Sequence, residues 1–166
     1  MSDESYITAT TAIYDKRMLV IAGVAGAGKS SAAGIWWHYD KEILETTLTE
    51  DELAFIRQKN EQGYYIELAY IGLESLDEHL SRIQNRVRKG GPFVEPEAVR
   101  VQYDHRWDAL NKVLPLCDEA TFYDNENGFR CVGRCRSHVM EISQKSCRWF
   151  QEFLERSETT HDLLYR

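Results

Sequence analysis

The sequence predicts an α/β fold with a mainly parallel sheet, and three observations predict it. Met18-Leu19-Val20-Ile21-Ala22 is continuous and apolar, as expected of a strand buried on both faces. It runs directly into Gly23-Val24-Ala25-Gly26-Ala27-Gly28-Lys29-Ser30, which fits the pattern G-x-x-x-x-G-K-[ST] in full. Strand-like and helix-like stretches then alternate along the chain. Together they specify a three-layer P-loop NTPase fold.

The elements follow in order. Residues 1–16 have no clear period and read as an N-terminal arm. After the glycine-rich turn, a helix is expected from about Lys29 to Trp37. Lys41 to Leu48 alternates, placing Ile43, Glu45 and Thr47 on one face of a second strand. Thr49 with Glu52 is a capping-box pattern, opening a helix that buries Leu53 and Ile56 and stops at Gly63. Tyr64 to Ile71 is rich in aromatic and branched residues and reads as a third strand. Ser75 with Glu78 repeats the capping pattern, and Leu76, Leu80, Ile83 and Val87 recur at helical spacing up to Gly90-Gly91-Pro92. Pro96 to Leu114 reads as one or two helices, with Val99, Tyr103, Trp107, Leu110 and Leu114 as the buried stripe. Ala120 to Tyr123 is a fourth strand, Asp124 to Gly128 a turn, and Phe129 to Arg134 a return strand. Ser146 to Arg156 is a closing helix packing Trp149, Phe150, Phe153 and Leu154, and residues 157–166 read as a loose tail.

Length and composition set bounds. With 166 residues, the chain is expected to form one domain over 1–166. An apolar share of 43% and a charged share of 28% exclude a disordered or low-complexity chain. The net charge of −7 argues against a dedicated nucleic-acid binder. No stretch approaches the roughly 20 apolar residues that cross a bilayer. Met1 to Glu4 is polar and acidic, unlike a signal peptide. The expectation is a cytoplasmic protein with no membrane partner, its four cysteines reduced.

The loop motif carries the chemistry. Its glycines permit conformations closed to other residues, so that main-chain N–H groups point inward at a phosphate chain. Gly23, Val24, Ala25, Gly26, Ala27, Gly28, Lys29, Ser30 and Ser31 are the expected nucleotide-binding residues. Lys29 reaches the β- and γ-phosphates, the Ser30 hydroxyl ligates Mg²⁺, and the helix that starts there aims its positive end at the anion. ATP is favoured over GTP, since no Asn/Thr-Lys-x-Asp run is present to read guanine.

The order of motifs resembles the zeta-toxin family of P-loop kinases, including its chromosomal relatives, over about residues 17–155. The residues that carry the resemblance are GVAGAGKS at 23–30, LETTL at 44–48, GYYIELAYIGL at 63–73, RVRKGG at 86–91, YDN at 123–125 and a closing helix with Trp149. The resemblance implies phosphoryl transfer from ATP·Mg²⁺ to a sugar nucleotide, which in zeta toxins is UDP-N-acetylglucosamine. Glu45 and Thr47 match the family's E-x-T substrate-binding motif, and Arg86 matches the arginine before its paired glycines. On this basis Lys29, Arg86 and Glu45 are the expected catalytic residues, with Thr47 beside Glu45 at the acceptor. Arg82 and Lys89 share the basic flank of that helix, and Arg100 and Arg106 are weaker candidates.

Three departures from the family stand out. Pro92 follows the glycine pair where chromosomal relatives usually carry His. Gln102 precedes Tyr103 where they carry Arg. Between the loop helix and the E-x-T strand, the family places a strand with a catalytic aspartate and further helices; here only Ser31 to Leu44 intervene. Asp40 does not replace that aspartate, because a helix rising about 1.5 Å per residue carries it roughly 15 Å from the phosphates. A second reading therefore stands beside the kinase: a slow ATPase or pseudokinase acting through a protein partner, an antitoxin among the possibilities. Cys131, Cys135, His138 and Cys147 match no zinc spacing and read as small buried hydrophobes. Trp36, Trp37 and Tyr39 read as core or as an interface.

Overall fold

The structure, a computed structural model, describes residues 16–36 and 42–157. Six strands form one sheet: β1 (Arg17–Ala22), β2 (Glu42–Thr46), β3 (Tyr65–Gly72), β4 (Glu119–Asp124), β5 (Arg130–Arg136) and β6 (Val139–Ile142). Their spatial order is β2-β1-β3-β4-β5-β6. Six helices accompany them: α1 (Lys29–Ile35), α2 (Glu50–Glu61), α3 (Leu76–Arg88), α4 (Pro96–Asp104), α5 (Arg106–Val113) and α6 (Arg148–Arg156).

The expected three-layer P-loop fold with a mainly parallel sheet is corrected here. The sheet is mixed. β2, β1, β3 and β4 pair in parallel, but β4–β5 and β5–β6 are antiparallel. The cause is loop length. Parallel neighbours need a crossover of a dozen or more residues, whereas residues 125–129 leave room only for a reversal. β6 escaped the sequence reading because its hairpin turns on Ser137 and His138, which carry no Asn-Gly or Asp-Gly signal. Both take positive φ, 49° and 64°.

The layers are also unequal. One sheet face, with Met18, Val20, Ile66, Leu68, Tyr70 and Phe122, packs under α2, α5 and α6. An aromatic cluster of Tyr70, Trp107, Trp149, Phe122, Phe150 and Phe153 fills it. Among the described residues, the helical cover of the other face, with Leu19, Ile21, Ala69 and Ile71, comes from the seven-residue α1 alone. Trp36, the residue that ends α1, lies against Tyr123 on that face with ring centroids 5.6 Å apart. Trp37, Tyr39, Asp40 and Lys41, the N-terminal arm up to residue 15 and the tail from residue 158 lie outside the described residues.

Helices α3 and α4 sit over the C-terminal ends of the parallel strands. Their Ile83 and Val99 close on Val24 of the loop. Thr49 and Glu52 complete a reciprocal capping box. Ser75 caps α3 by accepting the Glu78 N–H, while the Glu78 carboxylate turns to Arg82. The segment after Pro96 divides at His105 into α4 and α5.

Candidate functional site

The glycine-rich loop spans residues 23–28, between the end of β1 and the start of α1. Two of its glycines are obligatory. Gly26 and Gly28 have φ of 88° and 109°, the left-handed region that a side chain resists. A Cβ on Gly28 would also lie 2.4 Å from Asn125 Nδ2.

Lys29 folds back over the loop. Its Nζ donates to the carbonyls of Gly23 at 2.9 Å and Val24 at 3.3 Å. Burial pushes its pKa down to about 8; the nearby Glu45 carboxylate opposes that shift and Arg86 reinforces it. Ser30, next in the chain, donates its hydroxyl to Glu45 Oε2 at 3.1 Å. Lys29, Ser30 and Glu45 are thus brought to one place, and the charge of Arg86 acts on Lys29. Parallel pairing achieves this: Ile21 sits opposite Glu45, so β2 ends level with the loop.

Thr47 lies past the end of β2 and so is not part of its alternating face. There the chain turns through Leu48 at φ 61°, its N–H held by Thr46 Oγ1 at 2.7 Å. Thr47 lines a cleft of about 320 Å³ together with Thr49, Leu53, Gln102 and His105. Among the basic residues of α3, Arg82 is committed to Glu78 and to the Glu126 carbonyl, and Lys89 is an exposed C-cap. Arg100 pairs with Glu97 in solvent, and Arg106 is held over the rings of Tyr103 and Trp107. Arg86 is the member of the set whose charge reaches Lys29. Ser31 is exposed in the first turn of α1.

Four further residues hold the loop, none of them expected from sequence to do so. The Thr46 carbonyl accepts the Gly23 N–H at 3.3 Å. Asn125, read only as a turn former, donates Nδ2–H to the Ala27 carbonyl at 2.8 Å. His79 is buried in α3, with Nδ1 at 3.0 Å from the Ala25 carbonyl. Burial lowers its pKa to about 4, so it is neutral at pH 7, and the carbonyl fixes Nδ1 as the protonated nitrogen. Gln102 in α4 accepts the Ala25 N–H through Oε1 at 3.0 Å. Except for Thr46, these partners lie 54 to 98 residues away in sequence, so no local signal announces them.

The donor set fits a phosphate chain. The N–H groups of Gly26, Gly28, Lys29 and Ser30 have no protein acceptor among the described residues. They lie in the loop and the first turn of α1, beside a cation and a hydroxyl–carboxylate pair suited to Mg²⁺. Glu74, Asp124 and Cys147 also lie close together. Asp124 is already engaged by the Trp149 indole N–H at 2.9 Å and by Arg130, and burial holds the Cys147 thiol up at about 11. Cys131 and Cys135, both in β5, are half-buried rather than buried; Cys135 packs against the main apolar cluster, Cys147 is buried and His138 is exposed.

No protein-family model matches the chain. An uncharacterized protein of Haemophilus influenzae is 33% identical over 61 residues, 36% of this chain. The match spans 44% of that relative's length. Among solved structures, the chain resembles one from the crystal structure of AvrRxo1-ORF1:AvrRxo1-ORF2 with sulphate ions. The TM-score is 0.59 with 8% identity, over 90% of this chain and 70% of that one. At that identity the likeness speaks for the fold alone. Among the described residues, no helix is long and apolar enough to cross a membrane.

Proposed function

We propose that this protein binds ATP·Mg²⁺ at the loop and transfers the γ-phosphoryl group to a hydroxyl of a small acceptor. The observation that carries the proposal is the meeting of Lys29, Ser30 and Glu45 beside main-chain donors that have no acceptor among the described residues. Bound ATP·Mg²⁺ supplies the phosphoryl group and the metal's charge. The loop amides and Lys29 grip the phosphates, Ser30 and Glu45 hold the metal side, and Arg86 faces the developing charge. In the transfer, the acceptor oxygen bonds to the γ-phosphorus and the bond to the β,γ-bridging oxygen breaks. ADP leaves with that electron pair, and the hydroxyl proton passes through Glu45 to solvent. Positioning and electrostatics account for most of the rate in such reactions. The acceptor occupies the cleft beside Thr47, and a sugar nucleotide is the class that the motif resemblance names.

A second reading has its own support. Among the described residues, one sheet face has only the short α1 as helical cover, with Ile35 at 52% exposure. The structural relative is a two-component assembly. A nucleotide-binding protein that acts through a partner fits these features. Incubation with γ-labelled ATP and a panel of sugars, nucleosides and UDP-sugars separates the readings, with Lys29→Ala as control. Label transfer that requires Lys29 is expected of the kinase. ATP binding without transfer selects the partner-directed reading, and no nucleotide binding removes both.

A further inference from the structure

We infer that Gln102 is the residue that reads the terminal phosphate, so that the protein distinguishes ATP from ADP. The inference rests on the nucleotide reading of the loop and adds a residue to it. Gln102 reaches the loop from α4, across 77 residues of sequence, and its Oε1 accepts the Ala25 N–H at 3.0 Å. That bond fixes the carboxamide. A main-chain N–H can donate only to the oxygen, so the NH₂ group is the other branch. Its two N–H donors have no protein partner among the described residues.

The surroundings say which anion those donors meet. Lys29, the residue for the β- and γ-phosphates, has its ammonium on the carbonyls of Gly23 and Val24, immediately before Ala25. Ala25 therefore stands at the end of the loop where the phosphate chain finishes. On its other side Gln102 lines the cleft of about 320 Å³ with Thr47, Thr49, Leu53 and His105. Gln102 thus stands between the loop and that cleft, and the phosphate that faces the cleft is the last one.

Ala25 is held on both sides of its backbone. His79 binds its carbonyl while Gln102 binds its N–H. The contact to phosphate is made by a neutral amide, so it adds directional donors to the oxygens without adding charge. ADP lacks those oxygens and gains nothing from the NH₂ group.

The test is calorimetric titration of wild type, Gln102→Glu and Gln102→Ala with ATP and with ADP, each with Mg²⁺. Glu keeps an acceptor for the Ala25 N–H but replaces the donors with a carboxylate that repels phosphate. Wild type is expected to bind ATP more tightly than ADP. Gln102→Glu is expected to keep ADP affinity within about twofold and to lose on the order of tenfold or more in ATP affinity. Gln102→Ala is expected to fall between. A purely structural role would weaken both nucleotides alike or change neither. An unchanged ATP-to-ADP ratio in both variants overturns the inference while leaving the nucleotide site standing. If wild type binds neither nucleotide, the nucleotide reading falls and the inference with it.

Discussion

Lys29 holds a largely buried ammonium in contact with two carbonyls, and burial brings its pKa from 10.5 to about 8. A lysine whose folded pKa is depressed is charged below about pH 8 and neutral above it. Between about 8 and 10.5 the unfolded chain binds the extra proton, so this lysine's burial penalty persists below 8 and is relieved as pH rises through that window. Binding runs the other way, because the phosphates need the charged form. ATP affinity is expected to fall by up to tenfold per pH unit above about 8. Lys29→Arg, which stays charged, should flatten that dependence. Titrations from pH 7 to 9.5 check it, and equal slopes for the two proteins would contradict it. Lys29 and Ser30 were legible in the sequence because the loop motif is local. Glu45 was legible because a strand beside the loop strand must end level with it. Gln102, His79 and Asn125 were not, because their bonds to the loop are made only when distant elements pack.

Among the elements, the β5–β6 hairpin carries a measurable strain. Ser137 and His138 both hold positive φ, which non-glycine side chains resist. Replacing the pair with Asn-Gly, by Ser137→Asn with His138→Gly, should stabilise the protein by about 1 kcal/mol. An increase in Tm of a few degrees in thermal unfolding is the expected reading, and a decrease would show that the turn residues make contacts worth more than the strain. This hairpin also explains the mistaken sheet type. β1, β2, β3 and β4 announced themselves by apolar runs and caps, whereas β6 is a short edge element with a turn that lacks the usual residues. Thr47 was assigned to a strand face for a related reason: alternation in LETTL continues past the point where Leu48 turns the chain.

At the scale of the molecule, the larger buried cluster of the described residues lies on one face of the sheet. α2, α5 and α6 bury an aromatic core there, and Gly72 and Gly133 leave room for Trp149 and Phe150 to close on the sheet. A Cβ on Gly72 would lie 2.5 Å from Trp149 Cε2. Gly72→Ala is therefore expected to cost about 1–3 kcal/mol by overpacking, measured in urea, with little change in nucleotide affinity per folded molecule. A stability unchanged from wild type would mean that Trp149 moves aside freely. That core was readable in outline, since Trp149, Phe150, Phe153 and Leu154 recur at helical spacing. The short Ser31–Leu44 interval foreshadowed the slight helical cover of the second face among the described residues, and the Phe129–Arg134 return strand foreshadowed the antiparallel pairing after β4, but β6 was not foreseen. The account as a whole depends on the loop holding a triphosphate. Isothermal calorimetry of the folded wild-type protein with ATP and Mg²⁺, beside Lys29→Ala, tests this most directly. Saturable heat in wild type, abolished or weakened at least tenfold in the variant, is the predicted result. No heat from wild type at millimolar ATP, or equal binding by Lys29→Ala, would contradict it.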